Sequence, residues 1–300
     1  MLTHDATVRF ATEFTLGEGP RWFGQRLWVV DIPNGRLYRT TPDLTDLEPV
    51  LATEGLPLGG VAPIRGRAGK LIAAVGDGVA VLAPTVDGRA SLHWLHRIPD
   101  PQGRELRVND AVADPAGRFW FTTMAVSAEH GAGALWRVDR DGSLHRVVGH
   151  LTIPNGPAFS GDGRTMLLAD SQSPRLRRFT LDEAGDPIDE ADFGDMDART
   201  PDGMVFDRED AVWIALWDEG LVQRLDLDAR VLEQVRVPAP LSTAPALGGE
   251  DLQTLFITTA RAGLASPTAA DGAVYAARVS VPGLPAAEYR PLAAAEAAHC

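Results

Sequence analysis

The sequence predicts an all-β chain, folded as a six-bladed β-propeller with four antiparallel strands per blade. Three observations predict it. First, six apolar segments of strand composition, RLWVVD, KLIAAV, RFWFTT, TMLLAD, AVWIAL and TLFITT, centre on Trp28, Ile72, Trp120, Leu167, Trp213 and Phe256, at intervals of 44, 48, 47, 46 and 43 residues. A period of about 46 residues is that of a four-stranded blade. Second, a short motif precedes five of these segments by 10 to 13 residues: EGPRW from Glu18, GGVAP from Gly59, NDAVA from Asn109, NGPAF from Asn155 and PDGMVF around Asp202. Third, no stretch has helical periodicity, whereas 22 prolines and 30 glycines fall at turn intervals.

Within each unit the motif opens an inner strand and the apolar segment is the second. A hairpin then leads to a third: NGRLYRTT, DGVAVLAP, GALWRVD, PRLRRFTLD, EGLVQRLD and GAVYAARV. Asn34-Gly35 and Asp77-Gly78 read as strong hairpin turns, because glycine takes positive φ without a Cβ clash. Fourth strands are expected at LEPVLA, SLHWLHRI, LHRVVG and VLEQVRV, weaker in pattern because the outer strand is solvated. The last unit lacks a fourth strand, and ATVRFATEF at the N-terminus is a strand without a unit. The N-terminal strand is therefore expected to complete the last blade, close the ring and remove an exposed edge. The chain reads as one domain over 1–300, with the tail AAAEAAHC as a helical turn or a frayed end.

Composition excludes several classes of function. A net charge of −13 opposes a nucleic-acid partner, which needs a basic stripe. No run approaches a membrane span or the apolar core of a signal peptide, so the expectation is a cytoplasmic protein with no membrane partner, monomeric or weakly self-associating. The single cysteine, Cys300, allows neither an intramolecular disulfide nor a thiolate metal cage. There is no GxSxG elbow, Ser160 in FSGDG sits in a turn without a base, and no twelve-position EF-hand loop occurs.

Inner strands line a propeller's channel, so Glu18, Asn109, Asn155 and Asp202 are expected to converge there. Two carboxylates and two amide oxygens form a hard donor set that suits Ca²⁺, Mg²⁺ or Mn²⁺, with Zn²⁺ also able to bind through oxygen. None of the seven histidines heads a repeat. Arg107 and Asn109, two residues apart in RVND, face one side of a strand and offer a guanidinium fork beside an amide. Each reading has a plainer counterpart. Glu18 alone is a turn acid, Asn155 and Asp202 before glycine are turn formers, and Arg107 or Asn109 can satisfy buried backbone. Their shared position in the repeat favours the channel. Asp31 and Asp170, at the ends of second strands, read as acceptors of turn amides, and Trp22, Trp28, Trp120, Trp136 and Trp213 as core. Trp217 lies nearer the channel end.

The stretches LGEGPRW, RVNDAVADPAGRFWFTTM, PNGPAFS and TPDGMVFDREDAVWIA together resemble the gluconolactonase, regucalcin (senescence marker protein) and LRE-like family of six-bladed propellers. The resemblance spans nearly the whole chain in order. It implies one divalent cation, Ca²⁺ first and Zn²⁺, Mg²⁺, Mn²⁺ or Fe²⁺ as alternatives, held by Glu18, Asn155 and Asp202, with Arg107 and Asn109 on a sugar lactone. The implied reaction of carbohydrate metabolism is hydrolysis of the lactone ring to the aldonic acid, with Asp202 as both ligand and general base. Two stretches depart from the family: AVSAEHGAGALW, where Ser127 stands near the expected acid of the substrate lid, and ALGGED in the sixth repeat. Other functions compatible with this scaffold are hydrolysis of another ester, a non-sugar lactone or a phosphotriester, or metal binding without catalysis.

Overall fold

The computed structural model describes residues 2–172, 175–194, 196 and 199–292. Among them there are 25 strands and no helix, so none is long and apolar enough to cross a membrane. The strands form six sheets that follow one another along the chain as blades 1 to 6, over residues 17–52, 58–97, 106–151, 154–192, 200–236 and 242–278. Each blade is an antiparallel meander whose first strand is innermost.

The second strands read as continuous apolar runs because each is buried on both faces. Six apolar clusters fill the six seams between neighbouring blades. On the second strand of blade 5 (Val212–Trp217), Trp213 and Ala215 pack towards blade 6 with Leu247 and Ile257, while Val212 and Ile214 pack towards blade 4 with Leu167 and Ala169. Alternation survives, but each parity meets a different neighbour. The fourth strands face solvent. The one in blade 4 (Pro187–Asp192, PIDEAD) is mostly exposed, polar and acidic, and carries no strand pattern of its own.

Ring closure follows the sequence reading and adds to it. Thr7–Phe10 pairs antiparallel with Val274–Arg278 as the outer strand of blade 6, and Phe10 is buried against Leu27, Val29 and Phe256 at the seam with blade 1. Leu2–Asp5, not foreseen, runs parallel to Val231–Arg236 as a fifth strand on blade 5, tied by His4 to Glu233 at 2.7 Å. Nine consecutive residues thus bridge two blades. One turn differs from expectation: the loop after Leu71–Val75 is Gly76-Asp77, with the positive φ at Gly76, and Gly78 already belongs to the third strand. Cys300 and the AAAEAAHC tail lie outside the described residues.

After blade 6 the chain crosses the end of the channel remote from the acids described below. Pro282 O accepts from Arg208 N, and the amides of Gly283, Tyr289 and Arg290 donate to Leu252, Pro63 and Gly117. This strap and the far halves of the inner strands enclose an apolar cavity of about 350 Å³.

Trp213 fills a seam with no solvent exposure. Trp213→Ala is expected to lower unfolding free energy by about 3–5 kcal/mol, measured by urea denaturation at constant m-value.

Candidate functional site

In every blade the pairing of first and second strands shifts register at or just after the head of the repeat: between Glu18 and Arg21, Leu58 and Gly60, Val108 and Ala111, Asn155 and Ala158, Pro201 and Met204, and Ser242 and Pro245. A β-bulge bends its strand and re-aims a side chain. Repeated six times around an axis, it turns the head residues into the channel.

Four of them, Glu18, Asn109, Asn155 and Asp202, line the floor of one cavity of about 520 Å³. Two residues earlier in the chain stand Leu16, Arg107, Ile153 and Thr200, which line its walls; Arg107 and Thr200 share their strands with Asn109 and Asp202, and Leu16 and Ile153 immediately precede theirs. Ser171, Gln172 and Trp217, from the ends of second strands, complete it. All five residues singled out from the sequence therefore meet in one place. Blades 2 and 6 give no ligand there. A Cβ on Gly59 would lie 2.9 Å from Asn109 O, and Thr243 spends its hydroxyl on Gly17 O at 2.5 Å.

One chain of hydrogen bonds orients the amides. Arg107 Nη1 donates to Asn109 Oδ1 at 2.8 Å, Asn109 Nδ2 to Asn155 Oδ1 at 2.9 Å, Asn155 Nδ2 to Ser171 Oγ at 2.8 Å, and Ser171 Oγ to Pro201 O at 2.6 Å. Asn109 Nδ2 also donates to Pro154 O at 2.9 Å. Blades 3, 4 and 5 are linked through it, and one lone pair of Asn155 Oδ1 stays unused.

Two functional residues escaped the sequence. Asp110 was hidden by the alternation rule, which sends it away from Asn109; the bulge turns both inward. Its carboxylate accepts from Ala111 N at 2.7 Å and Gly156 N at 2.8 Å and faces Arg21 at 3.6 Å. Ser171 ends the segment LLADS, where only its neighbour Asp170 drew notice. Asp170 and Asp31 are structural: the first accepts from Thr152 N and Ile153 N, the second from Thr15 N and Leu16 N. Ser160 bonds within its turn, to Asp162 and Thr165 N. Trp120 and Trp213 are fully buried in seams, whereas Trp22, Trp28 and Trp136 are half-buried.

The family model described as SMP-30/Gluconolactonase/LRE-like region matches residues 16–261. The chain belongs to that family. A 6-deoxy-6-sulfogluconolactonase of Pseudomonas putida is 35% identical over 278 residues, 89% of this chain and 92% of that protein. A pentonolactonase of Haloferax volcanii is 33% identical over 254 residues, 83% of each. The fold superposes on the crystal structure of regucalcin, a calcium-binding protein of Agrobacterium tumefaciens, with a TM-score of 0.86 at 28% identity, covering 97% of this chain and 99% of that one.

The electrostatics of the floor set this family member's site apart from the rest of the molecule. Glu18 is 4% exposed and Asp202 6%, and among the described residues neither forms a salt bridge. Burial, and then the charge of Asp110, push the Glu18 carboxyl up to about 8; burial, then Glu18 and Asp110, hold Asp202 well above the carboxylate range. Arg107 offsets part of this for both. Among the described residues no three His, Cys, Asp or Glu side chains cluster as a metal site; the donor set here is two acids and an amide.

The sign of the resulting pH dependence is fixed. An acid whose folded pKa is raised leaves the folded state with more bound protons, so its contribution to stability is complete below pH 4.5 and is lost as pH rises towards 8. In chelator, the thermal midpoint is expected to fall between pH 5 and 8. Glu18→Gln, neutral throughout, should flatten that fall in the same melts.

Proposed function

We propose that this protein is a metal-dependent hydrolase that opens a sugar lactone to the aldonic acid. The observation that carries the reading is the pair of buried carboxylates without salt bridges, set beside an oriented amide oxygen and a guanidinium in one open cavity. Two buried acids of this kind are stable as anions only beside a cation. Their oxygens and Asn155 Oδ1 are hard donors, so the set fits one divalent ion, Ca²⁺ before Zn²⁺, Mg²⁺, Mn²⁺ or Fe²⁺. Relatives named as lactonases and a structural neighbour titled as calcium-binding support the substrate class and the ion.

Glu18, Asn155 and Asp202 would hold the ion. Its chemistry, when bound, is to polarise a carbonyl and acidify nearby water. The protein's own residues supply the rest. Arg107 keeps Nε and Nη2 free to donate to lactone oxygens, because Nη1 is committed to Val108 O and Asn109 Oδ1. The same commitment fixes the plane of the fork. Asp202 accepts a proton from the attacking water as the carbonyl carbon becomes tetrahedral, and returns it to the ring oxygen as the acyl C–O bond breaks, leaving the open-chain hydroxy acid. Asp110 is already bonded to two backbone amides, Ala111 N and Gly156 N, and so fixes the backbone next to Asn155.

Proton release from a panel of aldonolactones tests the proposal, with enzyme stripped of metal and then reloaded. Activity above the spontaneous rate should vanish in chelator and return with the ion. Asp202→Asn should lower turnover by at least about 100-fold. An ion at about 100 times its Kd should raise unfolding free energy by about 2.7 kcal/mol, an increment that Asp202→Ala and Glu18→Gln diminish. Near-normal turnover in Asp202→Asn would remove the base role.

A further inference from the structure

We infer that the cavity walls select an uncharged lactone with a C–H face and discriminate against lactones carrying a second anionic group, such as a phosphate or sulfonate on the exocyclic carbon. The inference rests on the lactonase reading and narrows its substrate class.

The floor and the walls of the cavity are chemically different. One pleat above the floor, Leu16 and Ile153 project from blades 1 and 4, which stand opposite each other in a ring of six, and Trp217 adds an indole at the end of a second strand. These surfaces are half-buried and apolar. They suit the C–H face of a sugar ring, whose burial is favourable by about 25 cal/mol per Å².

The polar capacity of the walls is small and almost uncharged. Among the described residues Arg107 is the one cationic side chain lining the cavity, and part of its guanidinium is already used. The Thr200 hydroxyl and the Gln172 amide line the cavity without a hydrogen bond to any described side chain or backbone group. They can meet two hydroxyls of a neutral substrate. The Ser171 hydroxyl is spent on Asn155 and Pro201.

With its carbonyl at the floor, a lactone directs its exocyclic end towards the mouth. An anionic group there would either compete with the ring oxygens for Arg107 or lie against Leu16, Ile153 and Trp217 without a counter-charge. An unpaired charge in a partly buried site is costly. The net charge of −13 slows the approach of any anion, most at low salt. A relative is named for a sulfonated gluconolactone; the described wall residues of this chain offer such a group no second cation.

The experiment compares kcat/KM of the metal-loaded enzyme for D-glucono-1,5-lactone and D-xylono-1,4-lactone with that for 6-phosphoglucono-1,5-lactone, followed by proton release at two salt concentrations. The neutral lactones should be favoured by at least about 10-fold, the factor set by 1.4 kcal/mol. Raising salt should narrow the gap. Gln172→Lys, which places a cation on the wall, should move the ratio about 10-fold towards the phosphorylated lactone, and Trp217→Ala should raise KM for the neutral lactones more than it lowers kcat. Hydrolysis of the phosphorylated lactone within threefold of the neutral ones overturns this inference and leaves the lactonase reading standing. Failure to hydrolyse any lactone overturns both.

Discussion

Burying Glu18 and Asp202 at the axis is the constraint on which the rest of the site depends. In water each carboxylate is solvated by several waters; at the floor Glu18 keeps one backbone partner, Gly19 N at 2.9 Å. A buried charge must be paired or neutralised. Among the described residues neither acid has a salt bridge, so each must be neutral or be paired with a cation. The surrounding hydrogen bonds make sense in that light. Arg107, Asn109, Asn155 and Ser171 spend their donors on one another and on backbone carbonyls, leaving oxygen and guanidinium N–H directed at the open space. Freezing these amides before any ligand arrives lowers the entropy lost on binding.

The propeller supplies the precision. Six seams of buried apolar side chains fix each blade against two neighbours, so the inner strands cannot drift independently. The axis is crowded enough that Gly59 has no room for a Cβ against Asn109 O. Thr243, at the matching position of blade 6, ties its blade to Gly17 of blade 1. Two of the six heads therefore serve the ring and four serve the cavity. Closure is reinforced where a ring is weakest: the N-terminal nine residues lie along the outer edges of blades 5 and 6 and join them.

Much of this was legible in the sequence for a physical reason. A repeated blade repeats its burial pattern, so the period of the apolar second strands gives the number of blades. A polar residue that returns at one phase of that period must also return to one place in space. Glu18, Asn109, Asn155 and Asp202 could be found that way. Asp110 could not, because alternation holds only for regular strands and a bulge turns consecutive residues to one side. Ser171 was missed because a serine at a strand end has many uses and no pattern distinguishes them. The outer strand of blade 4, with three exposed acids, Asp189, Glu190 and Asp192, beside an exposed Ile188, lacks the apolar signal on which strand recognition depends. The Leu2–Asp5 strand is held by edge pairing on blade 5, which no local pattern encodes.

The division between floor and walls also divides chemistry from selectivity. Floor residues sit at bulges and are at least nine-tenths buried, and Asn109 and Asn155 take part in an interlocked set of hydrogen bonds, so a change at either disturbs several blades. Leu16, Ile153, Thr200 and Trp217 stand one pleat higher or at a strand end, are half-buried, and hold no part of that network. Substitutions there alter the surface a substrate meets while costing the fold little. A propeller can thus keep one reactive floor and present different walls to different lactones. In this chain the described wall residues are largely apolar, with a single guanidinium, and on that composition the proposed preference for uncharged lactones rests.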